Sequence, residues 1–494
     1  MDNKTVLQEV VLGSRIAEDE VDELHSYFVE TDQWKKLLSG DIDVVFGAKG
    51  SGKSALYSLL VAKRDELRLK GRTIFIAAEN PRGTPVFRDL TKHSDLSEDA
   101  FRSLWKLYFL SISADYLRLQ LQASGIKDDS AQEVIDLLTS QNLLSPGINL
   151  LTRLKSAMEY LRKFIPALEL SVADPAGMTY GGKITFEEPT TDQRSKGFRS
   201  LDNLLEQLNN AFARQKITVW LALDRLDVAF ADSDDLESTA LRALFRSYLD
   251  MQSLPQIKVK IFLRDDIWNK IVKSGFREAS HVIRSITLSW DNRSLLNLIV
   301  RRFLSNQSIA DHFGVQPVEI LSSEDKQSQF FYAIFPNQVD VGKSKSKTLD
   351  WMLTRTADGT KRTAPRELIH LLLAAKDEQL KIYELGGDNT QDHLIGKNAI
   401  RSGLDSVSKA RYQQTLCAEN PLLQPYLQKL ERQKTQQTAA SLAGLWFCDL
   451  EEATTVAEKL IEAGFFERRG TRDAPVYWVP MLYRGALSMV QGAA

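Results

Sequence analysis

The stretch that decides the fold of this chain reads Gly47-Ala48-Lys49-Gly50-Ser51-Gly52-Lys53-Ser54. It matches the pattern G-x-x-x-x-G-K-[ST] of a phosphate-binding loop, or P-loop, in which backbone N–H groups and a helix N-terminus surround phosphates. An apolar run at 42–46 precedes the loop and a helical pattern at 55–61 follows it, which is the strand–loop–helix order that the motif needs. We therefore expect Gly47 to Ala55 to bind the phosphates of ATP. Lys53 is expected at the β- and γ-phosphates, and Ser54 as a ligand of Mg²⁺.

The composition is that of an ordinary globular protein. The chain has 494 residues, of which 43% are hydrophobic and 26% charged, with a formal net charge of −2. This length predicts about two to four domains, and the balanced charge gives no general case for a nucleic-acid partner. The two cysteines, Cys417 and Cys448, have neither metal-ligand spacing nor a disulfide framework, which fits a cytoplasmic protein. No signal-peptide pattern opens the chain, and no run of about 18 apolar residues predicts a membrane span.

Further apolar runs alternate with helical patterns. They lie at 72–77, 217–223, 257–263 and 282–288, and polar residues gather where several of them end. This alternation predicts a parallel sheet with helices on both faces, in which ligands bind at the carboxyl ends of the strands.

Asp224 ends the most apolar of these runs and is the predicted Walker B residue, which holds Mg²⁺ opposite Ser54. Asp227 lies three residues further on and is a candidate for orienting or activating the attacking water. A simple charge at a helix N-terminus explains Asp227 equally well. A usual Walker B motif places an acid directly after the first Asp, but Arg225 stands there. The identity of the catalytic base is therefore open at this point.

Four arginines have positions that suit a nucleotide site. Arg264 follows the run at 257–263 and could approach the γ-phosphate as a sensor, or simply pair with a neighbouring aspartate. Arg366 begins an apolar helix in the distal helical region and could reach the nucleotide from a lid, or lie at the surface. Arg242 and Arg246 could act in trans as arginine fingers in an oligomer, although a solvated helix face is the commoner arrangement.

The predicted fold class is α/β: a P-loop NTPase parallel sheet with helical insertions, a helical lid and a C-terminal winged helix. The predicted domains are an N-terminal helical segment at 1–40, an ATPase core at 41–290, a helical lid region at 291–437 and a winged helix at 438–494. The core carries an insertion at about 86–200, where apolar residues at helical spacing predict packed helices and 168–187 predicts a β-hairpin. The stretch 310–348 shows no clear period.

The charge of the C-terminal segment bears on its partner. Between 438 and 494 there are seven acids and five bases, and most of the acids lie on the predicted helix 450–463, which would be the recognition helix of the winged helix. A phosphate backbone would repel that helix, so a helix-led DNA reader is disfavoured. The basic element of this segment is the predicted wing, with Arg468, Arg469 and Arg472. A wing contact with DNA and a packing role therefore both stay open.

The order of these parts resembles the P-loop ATPases of the STAND/AAA+ kind that end in a winged helix, broadly like the archaeal Orc/Cdc6 proteins. The chain is more closely similar to a bacterial family of ATPases with three shared signatures, at 27–31, 222–227 and 261–267. The resemblance covers about 15–300 well and extends less closely through Pro365-Arg366-Glu367-Leu368 to the tail. It implies ATP binding, conformational switching and self-association. Genes of this kind often lie among bacterial defence genes, so it also implies an antiviral role with a separate effector protein.

Three functions compete on this basis. The first is an ATP-binding and hydrolysing switch that controls a partner protein, and the second is an Orc-like DNA-binding ATPase. The third, a small-molecule kinase, is the least supported, because a compact kinase needs no winged helix. The expected partners are ATP, further copies of the chain in a homo-oligomer and an effector protein, with DNA as the alternative. The motifs do not fix the preference between ATP and GTP.

Overall fold

The computed structural model describes residues 2–15, 20–79, 96–145, 147, 149–163, 184–226, 234–387, 393–471 and 474–494. These residues form two compact units. The first, which we call the helical unit, consists of Met1–Thr31, Ala48–Gly52 and Ser289–Ala494. The second, which we call the sheet unit, consists of Asp32–Gly47 and Lys53–Leu288. The predicted domain limits at 40, 290 and 437 stay predictions.

The strands of the described residues, in chain order, are β1 Val44–Gly47, β2 Thr73–Ala77, β3 Ile184–Thr185, β4 Arg199–Ser200, β5 Thr218–Leu223, β6 Ile257–Arg264, β7 Ser285–Thr287, β8 Lys434–Thr438, β9 Glu467–Gly470, β10 Pro475–Trp478 and β11 Val490–Ala493. The α-helices are α1 Asn3–Glu9, α2 Val21–Tyr27, α3 Asp32–Leu38, α4 Lys53–Ala62, α5 Arg64–Gly71, α6 Glu98–Ser124, α7 Asp129–Ser140, α8 Leu150–Arg162, α9 Thr191–Ser195, α10 Leu201–Arg214, α11 Asp234–Met251 and α12 Asp265–Lys273. They continue as α13 Asn292–Leu304, α14 Gln307–Phe313, α15 Pro317–Ile320, α16 Glu324–Ile334, α17 Thr348–Thr356, α18 Pro365–Glu384, α19 Lys397–Ala410, α20 Gln424–Gln428, α21 Ala439–Trp446, α22 Leu450–Glu462 and α23 Met481–Arg484.

The sheet unit is built on five parallel strands in the order β2-β5-β6-β1-β7. All four residues of β1 are buried, as are most residues of β5 and β6. Continuous burial is the property of parallel strands covered on both faces, and it explains why these strands read as apolar runs. The α/β class with a parallel P-loop sheet, predicted from the sequence, is confirmed.

The insertion packs on the sheet through α6, the longest helix of the described residues. Its N-cap is Ser97, whose hydroxyl accepts a hydrogen bond from the N–H of Ala100 at 3.2 Å. The stripe that includes Leu104, Leu107 and Tyr108 is buried in the core, as its spacing predicted. This stripe anchors the insertion to the sheet.

The predicted hairpin falls partly outside the described residues. Its first half, 168–172, lies outside them. In its second half β3 pairs in parallel with β4, and the polar stretch between them contains the short helix α9. The hairpin as a whole therefore stays a prediction.

A charged cluster is buried at the start of β1. Asp43 is 3% exposed and receives hydrogen bonds from the ammonium of Lys260 at 2.8 Å and from Nε of Arg284 at 2.6 Å. Lys260, on β6, is fully buried and lies 4.2 Å from the centre of the Trp220 ring. These contacts join four neighbouring strands, because Trp220 belongs to β5, Lys260 to β6, Asp43 precedes β1 and Arg284 precedes β7.

The helical unit has its own core, formed by α1 and by helices between α13 and α23. Helices α14, α15 and α16 occupy part of the stretch 310–348, where the sequence showed no clear period. Phe330, Phe331 and Ile334 of α16 are buried there, and Ser323 caps that helix by accepting from the N–H of Lys326. The polar residues among these apolar positions hid the helical period.

The C-terminal part forms a four-stranded sheet in the order β11-β8-β10-β9. Helices α21 and α22 precede the antiparallel pair β9 and β10, which is the predicted order of two helices and a wing. The identification of this part as a winged helix stays a prediction. Among the helices that the structure describes, none has the length and apolar character needed to cross a bilayer.

Candidate functional site

The P-loop connects β1 to α4. Strand β1 ends at Gly47 and α4 begins at Lys53. Between them Gly50 and Gly52 have φ angles of +79° and +99°, a region that strains residues with a side chain. Left-handed residues in a loop favour a concavity lined by N–H groups, and the first turn of a helix such as α4 has N–H groups that the helix itself does not bond. The backbone of the loop is thus suited to an anion.

Lys53 is held inside this loop. It is 9% exposed, and its ammonium donates a hydrogen bond of 2.7 Å to the carbonyl of Gly47, the first residue of the motif. A lysine is rarely this buried without partners for its charge. Ser54, the second residue of α4, and Ala55 after it are half-buried. Lys53 and Ser54 are thus the first two residues of α4, and their contacts with phosphate and Mg²⁺ stay predictions.

The buried hydroxyl of Ser51 bears on whether the loop residues fit a phosphate. It is 4% exposed, and its hydroxyl has no hydrogen-bond partner among the described residues. A buried hydroxyl without a partner costs free energy, which a bound oxyanion would recover. The loop residues thus fit a phosphate group in donor chemistry as well as in backbone conformation.

Within the helical unit, the first turn of α18 packs on the loop. A Cβ atom added to Gly50 would lie 3.0 Å from Cβ of Arg366 and 3.5 Å from Cβ of Ala364. Only a glycine admits this approach. The structure thus brings Arg366 to the P-loop backbone, and its contact with a nucleotide stays a prediction.

Two residues that the sequence did not indicate also contact the loop within the helical unit. The indole N–H of Trp290 donates to the carbonyl of Ser51 at 2.8 Å, across 239 residues of sequence. Glu419 forms an ion pair with Lys49, across 370 residues. Contacts between residues so far apart in the sequence produce no local sequence pattern. Trp290 did offer one signal, because it follows an apolar run and polar side chains gather where the strands of a parallel sheet end.

In the sheet unit, Asp224 lies where the sequence placed it. It directly follows β5, at the carboxyl end of the sheet, and is 3% exposed. Strand β6 separates β5 from β1. Asp224 and Ser54 are the two oxygen donors that could hold Mg²⁺, and this pairing stays a prediction. Asp227 lies outside the described residues.

Arg264 ends β6 and forms a two-pronged ion pair with Asp266. Its Nε and a terminal nitrogen lie 3.0 Å and 2.7 Å from the two carboxylate oxygens. Burial pushes the pKa of Asp266 upward, but the hydrogen bonds and charge of Arg264 outweigh it and hold that pKa below its usual range. The sequence left a phosphate sensor and a salt bridge open for Arg264, and the structure contains the salt bridge. The sensor role of Arg264 stays a prediction.

Glu79 is a candidate site residue that the sequence did not indicate. It follows β2 by two residues and is fully buried. The hydroxyl of Tyr57, on α4, donates to the carbonyl of Glu79 at 2.8 Å. Burial raises the pKa of Tyr57, and the charges of Asp224 and Glu79 raise it further, so both carboxylates act on this hydroxyl. The prediction that polar residues gather at strand ends would have found Glu79, had it been applied to β2.

The proposed arginine fingers have partners within the chain. Arg242 pairs with Glu98 at 3.1 Å, and Arg246 pairs with Glu98 at 2.8 Å and with Glu278 at 3.1 Å. Arg242 and Arg246 are therefore neither free nor on a merely solvated face. A role in trans would require these pairs to exchange for a neighbouring subunit's nucleotide.

The wing arginines are also paired. Arg468 pairs with Glu458 of the acidic helix α22, and Arg469 pairs with Glu467 at 2.9 Å while its guanidinium lies 3.7 Å from the centre of the Trp478 ring. Arg472 lies outside the described residues. One of these pairs joins the wing to the acidic helix and the other lies within β9, and both reduce the charge that these arginines offer to a phosphate backbone.

No protein-family model and no curated protein matches the chain. Among solved structures, the chain is similar to the Aeropyrum pernix ORC2 protein, which was solved in ADPNP-ADP complexes. The two share 11% sequence identity, the match covers 97% of this chain and 96% of the other, and the TM-score is 0.37. The assignment of the P-loop fold rests on the strand order and the loop geometry described above.

Proposed function

We propose that this chain binds ATP with Mg²⁺ at the P-loop and hydrolyses it slowly, and that its nucleotide state switches the activity of a separate protein. One observation carries the proposal. A buried strand leads through a loop with left-handed Gly50 and Gly52 into a helix whose first residue, Lys53, is buried on the loop's own carbonyl. A phosphate could take the place of the Gly47 carbonyl as the hydrogen-bond acceptor of Lys53. It would then pair with the charged ammonium, and this exchange requires no change of fold.

Each site residue is proposed to have a role that suits its chemistry. Lys53 neutralises the β- and γ-phosphates, and the free N–H groups of α4 donate to phosphate oxygens. Ser54 and Asp224 supply the oxygen ligands for Mg²⁺, which when bound neutralises charge on the phosphates. Arg366 lies against Gly50 and is proposed to contact the nucleotide from α18.

Nucleotide binding by the variant Lys53→Ala tests the proposal. Binding of a fluorescent ATP analogue should weaken about 10- to 100-fold, because a hydrogen bond to a charged group contributes about 1.5–3 kcal/mol. Lys36→Ala is the control, since Lys36 is half-exposed and pairs with Asp32 within α3, away from the loop in sequence. Unchanged affinity and turnover in Lys53→Ala would sink the proposal.

Asp224→Ala should separate binding from hydrolysis. Affinity should change little, while kcat falls about 100-fold, because charge stabilisation matters most in the transition state. The exposed Asp192 provides the control variant Asp192→Ala. Equal loss of binding and turnover would show instead that Asp224 supports the fold of the site.

Contacts within the helical unit support a switch. The P-loop residues Lys49, Gly50 and Ser51 contact Glu419, the first turn of α18 and Trp290, respectively. A phosphate that changes the conformation of this loop must change these contacts. We further propose that this change controls self-association and the docking of an effector. Light scattering with and without a non-hydrolysable ATP analogue tests the first part, and a monomer under both conditions contradicts it.

The DNA-binding alternative is tested by turnover with double-stranded DNA. The internal pairs of Arg468 and Arg469 support indifference to DNA. A strong rise in turnover that falls steeply with salt would favour the alternative. The antiviral role, proposed on the resemblance alone, predicts that bacteria that carry the wild-type gene resist phage better than those with Lys53→Ala.

A further inference from the structure

The residue after Asp224 cannot serve as the catalytic base, because it is Arg225. Its backbone is in the left-handed region, with φ of +59°, so the chain turns sharply as it leaves β5. Asp227, the candidate from the sequence, lies outside the described residues, so among the described residues a carboxylate that activates water has to come from another element. The described acids at the carboxyl end of the sheet include Asp266, but it is occupied by Arg264.

Strand register places Glu79 beside Asp224. Strands β2 and β5 pair in parallel with Ala77 opposite Ala222, and the N–H of Ala78 donates to the carbonyl of Ala222 at 2.8 Å. Glu79 and Asp224 each follow their paired alanine by two residues. In parallel strands about 4.8 Å apart, residues at equal steps from a paired position share a level and a face of the sheet. Glu79 and Asp224 thus follow neighbouring strands at the same level of the sheet.

The surroundings of Glu79 keep it fixed at this level. Two tyrosine hydroxyls bind the backbone around it: Tyr57 donates to the carbonyl of Glu79 and Tyr108 to that of Ala78, both at 2.8 Å. Tyr57 lies one helical turn after Lys53 on α4, so both side chains lie on the same face of that helix. The P-loop helix thus supplies one of the two hydrogen bonds that hold the backbone at Glu79, and α6 supplies the other.

We propose that Glu79 is the residue that orients and deprotonates the attacking water in ATP hydrolysis. The inference rests on the proposed ATPase function. The water oxygen forms a bond to the γ-phosphorus as the bond to the β–γ bridging oxygen breaks, and the leaving electron pair stays on ADP. The proton of the water passes to the Glu79 carboxylate and from there to the inorganic phosphate or to solvent, so that the carboxylate is regenerated.

The decisive variant is Glu79→Gln, which keeps the shape of the side chain and removes its basicity. The expected result is a loss of kcat of about 100-fold or more, the usual contribution of a general base, with the affinity for a fluorescent ATP analogue unchanged. Asp115→Asn is the matched control. It removes a carboxylate that pairs with Arg118 and the buried Arg153 elsewhere in the sheet unit, so it should lower the unfolding midpoint and leave kcat unchanged.

Glu79→Asp keeps the charge and shortens the side chain by one methylene, which decides the outcome if Glu79→Gln does not fold. Loss of kcat with binding intact supports the proposal. Wild-type kcat in either folded variant, or parallel loss of binding and kcat in both, overturns it and assigns Glu79 a structural role. These results leave the ATPase function standing. Failure of the wild-type chain to bind or hydrolyse ATP removes the function and this inference together.

Discussion

Removal of Asp43 should destabilise the sheet unit more than any surface change. Asp43→Ala leaves Lys260 without its counter-charge at a position that is 0% exposed, where burial already lowers the pKa of Lys260. Loss of one partner of a buried ion pair costs about 3–5 kcal/mol. Arg284 is less affected, because its side chain is 38% exposed and can turn to solvent. We therefore expect a loss of about 3–5 kcal/mol in the free energy of unfolding.

A second variant separates the lost charge pair from the lost volume. Asp43→Ala combined with Lys260→Met removes both charges, and replacement of a buried pair by apolar groups is often neutral. The double variant should thus recover most of the stability, a clear departure from additivity. Asp41→Ala, in which a neighbouring exposed aspartate is removed, provides the control.

Urea unfolding followed by hydrogen exchange measures this effect. The two compact units need not unfold together, so exchange in peptides that cover β1 and β6 identifies the transition of the sheet unit. A destabilisation below about 1 kcal/mol in Asp43→Ala would refute the reasoning, since that is the cost of an exposed pair. So would a double variant that is less stable than Asp43→Ala alone.

Three further predictions concern pH, nucleotide affinity and helix capping. Burial and the nearby charge of Arg15 lower the pKa of His370 to about 4 from 6.5, so the unfolded chain binds more protons between these values. Stability should therefore fall as the pH drops from 6.5 to 4, by about 1–2 kcal/mol after solvent screening, and His370→Gln should flatten this slope in pH-dependent unfolding. Glu419→Gln removes a carboxylate next to Lys49 and should tighten binding of an ATP analogue about two- to five-fold, whereas weaker binding would show that Glu419 supports the loop. Ser97→Ala removes the N-cap of α6 and should cost about 1 kcal/mol in urea unfolding, with Ser97→Asn as the control that retains a capping side chain.

The sequence by itself determined the local features of this protein. The P-loop, the buried runs of β1, β5 and β6 and the place of Asp224 all follow from patterns within a few residues. Steric rules for glycine, burial on both faces of a parallel strand and helix capping act over that distance, so their signal is present in the sequence. The same local reasoning failed for α16, where polar residues concealed the period, although Ser323 offered a capping signal.

Only the tertiary structure decided which distant side chains share a site. The level of Glu79 beside Asp224 depends on the register between β2 and β5, which no residue of either strand specifies alone. The contacts of Glu419 and Trp290 with the P-loop join positions hundreds of residues apart. Burial of the whole core determines the strand register and the helix positions together, and these determine which distant residues come into contact. Short-range sequence patterns do not contain this information.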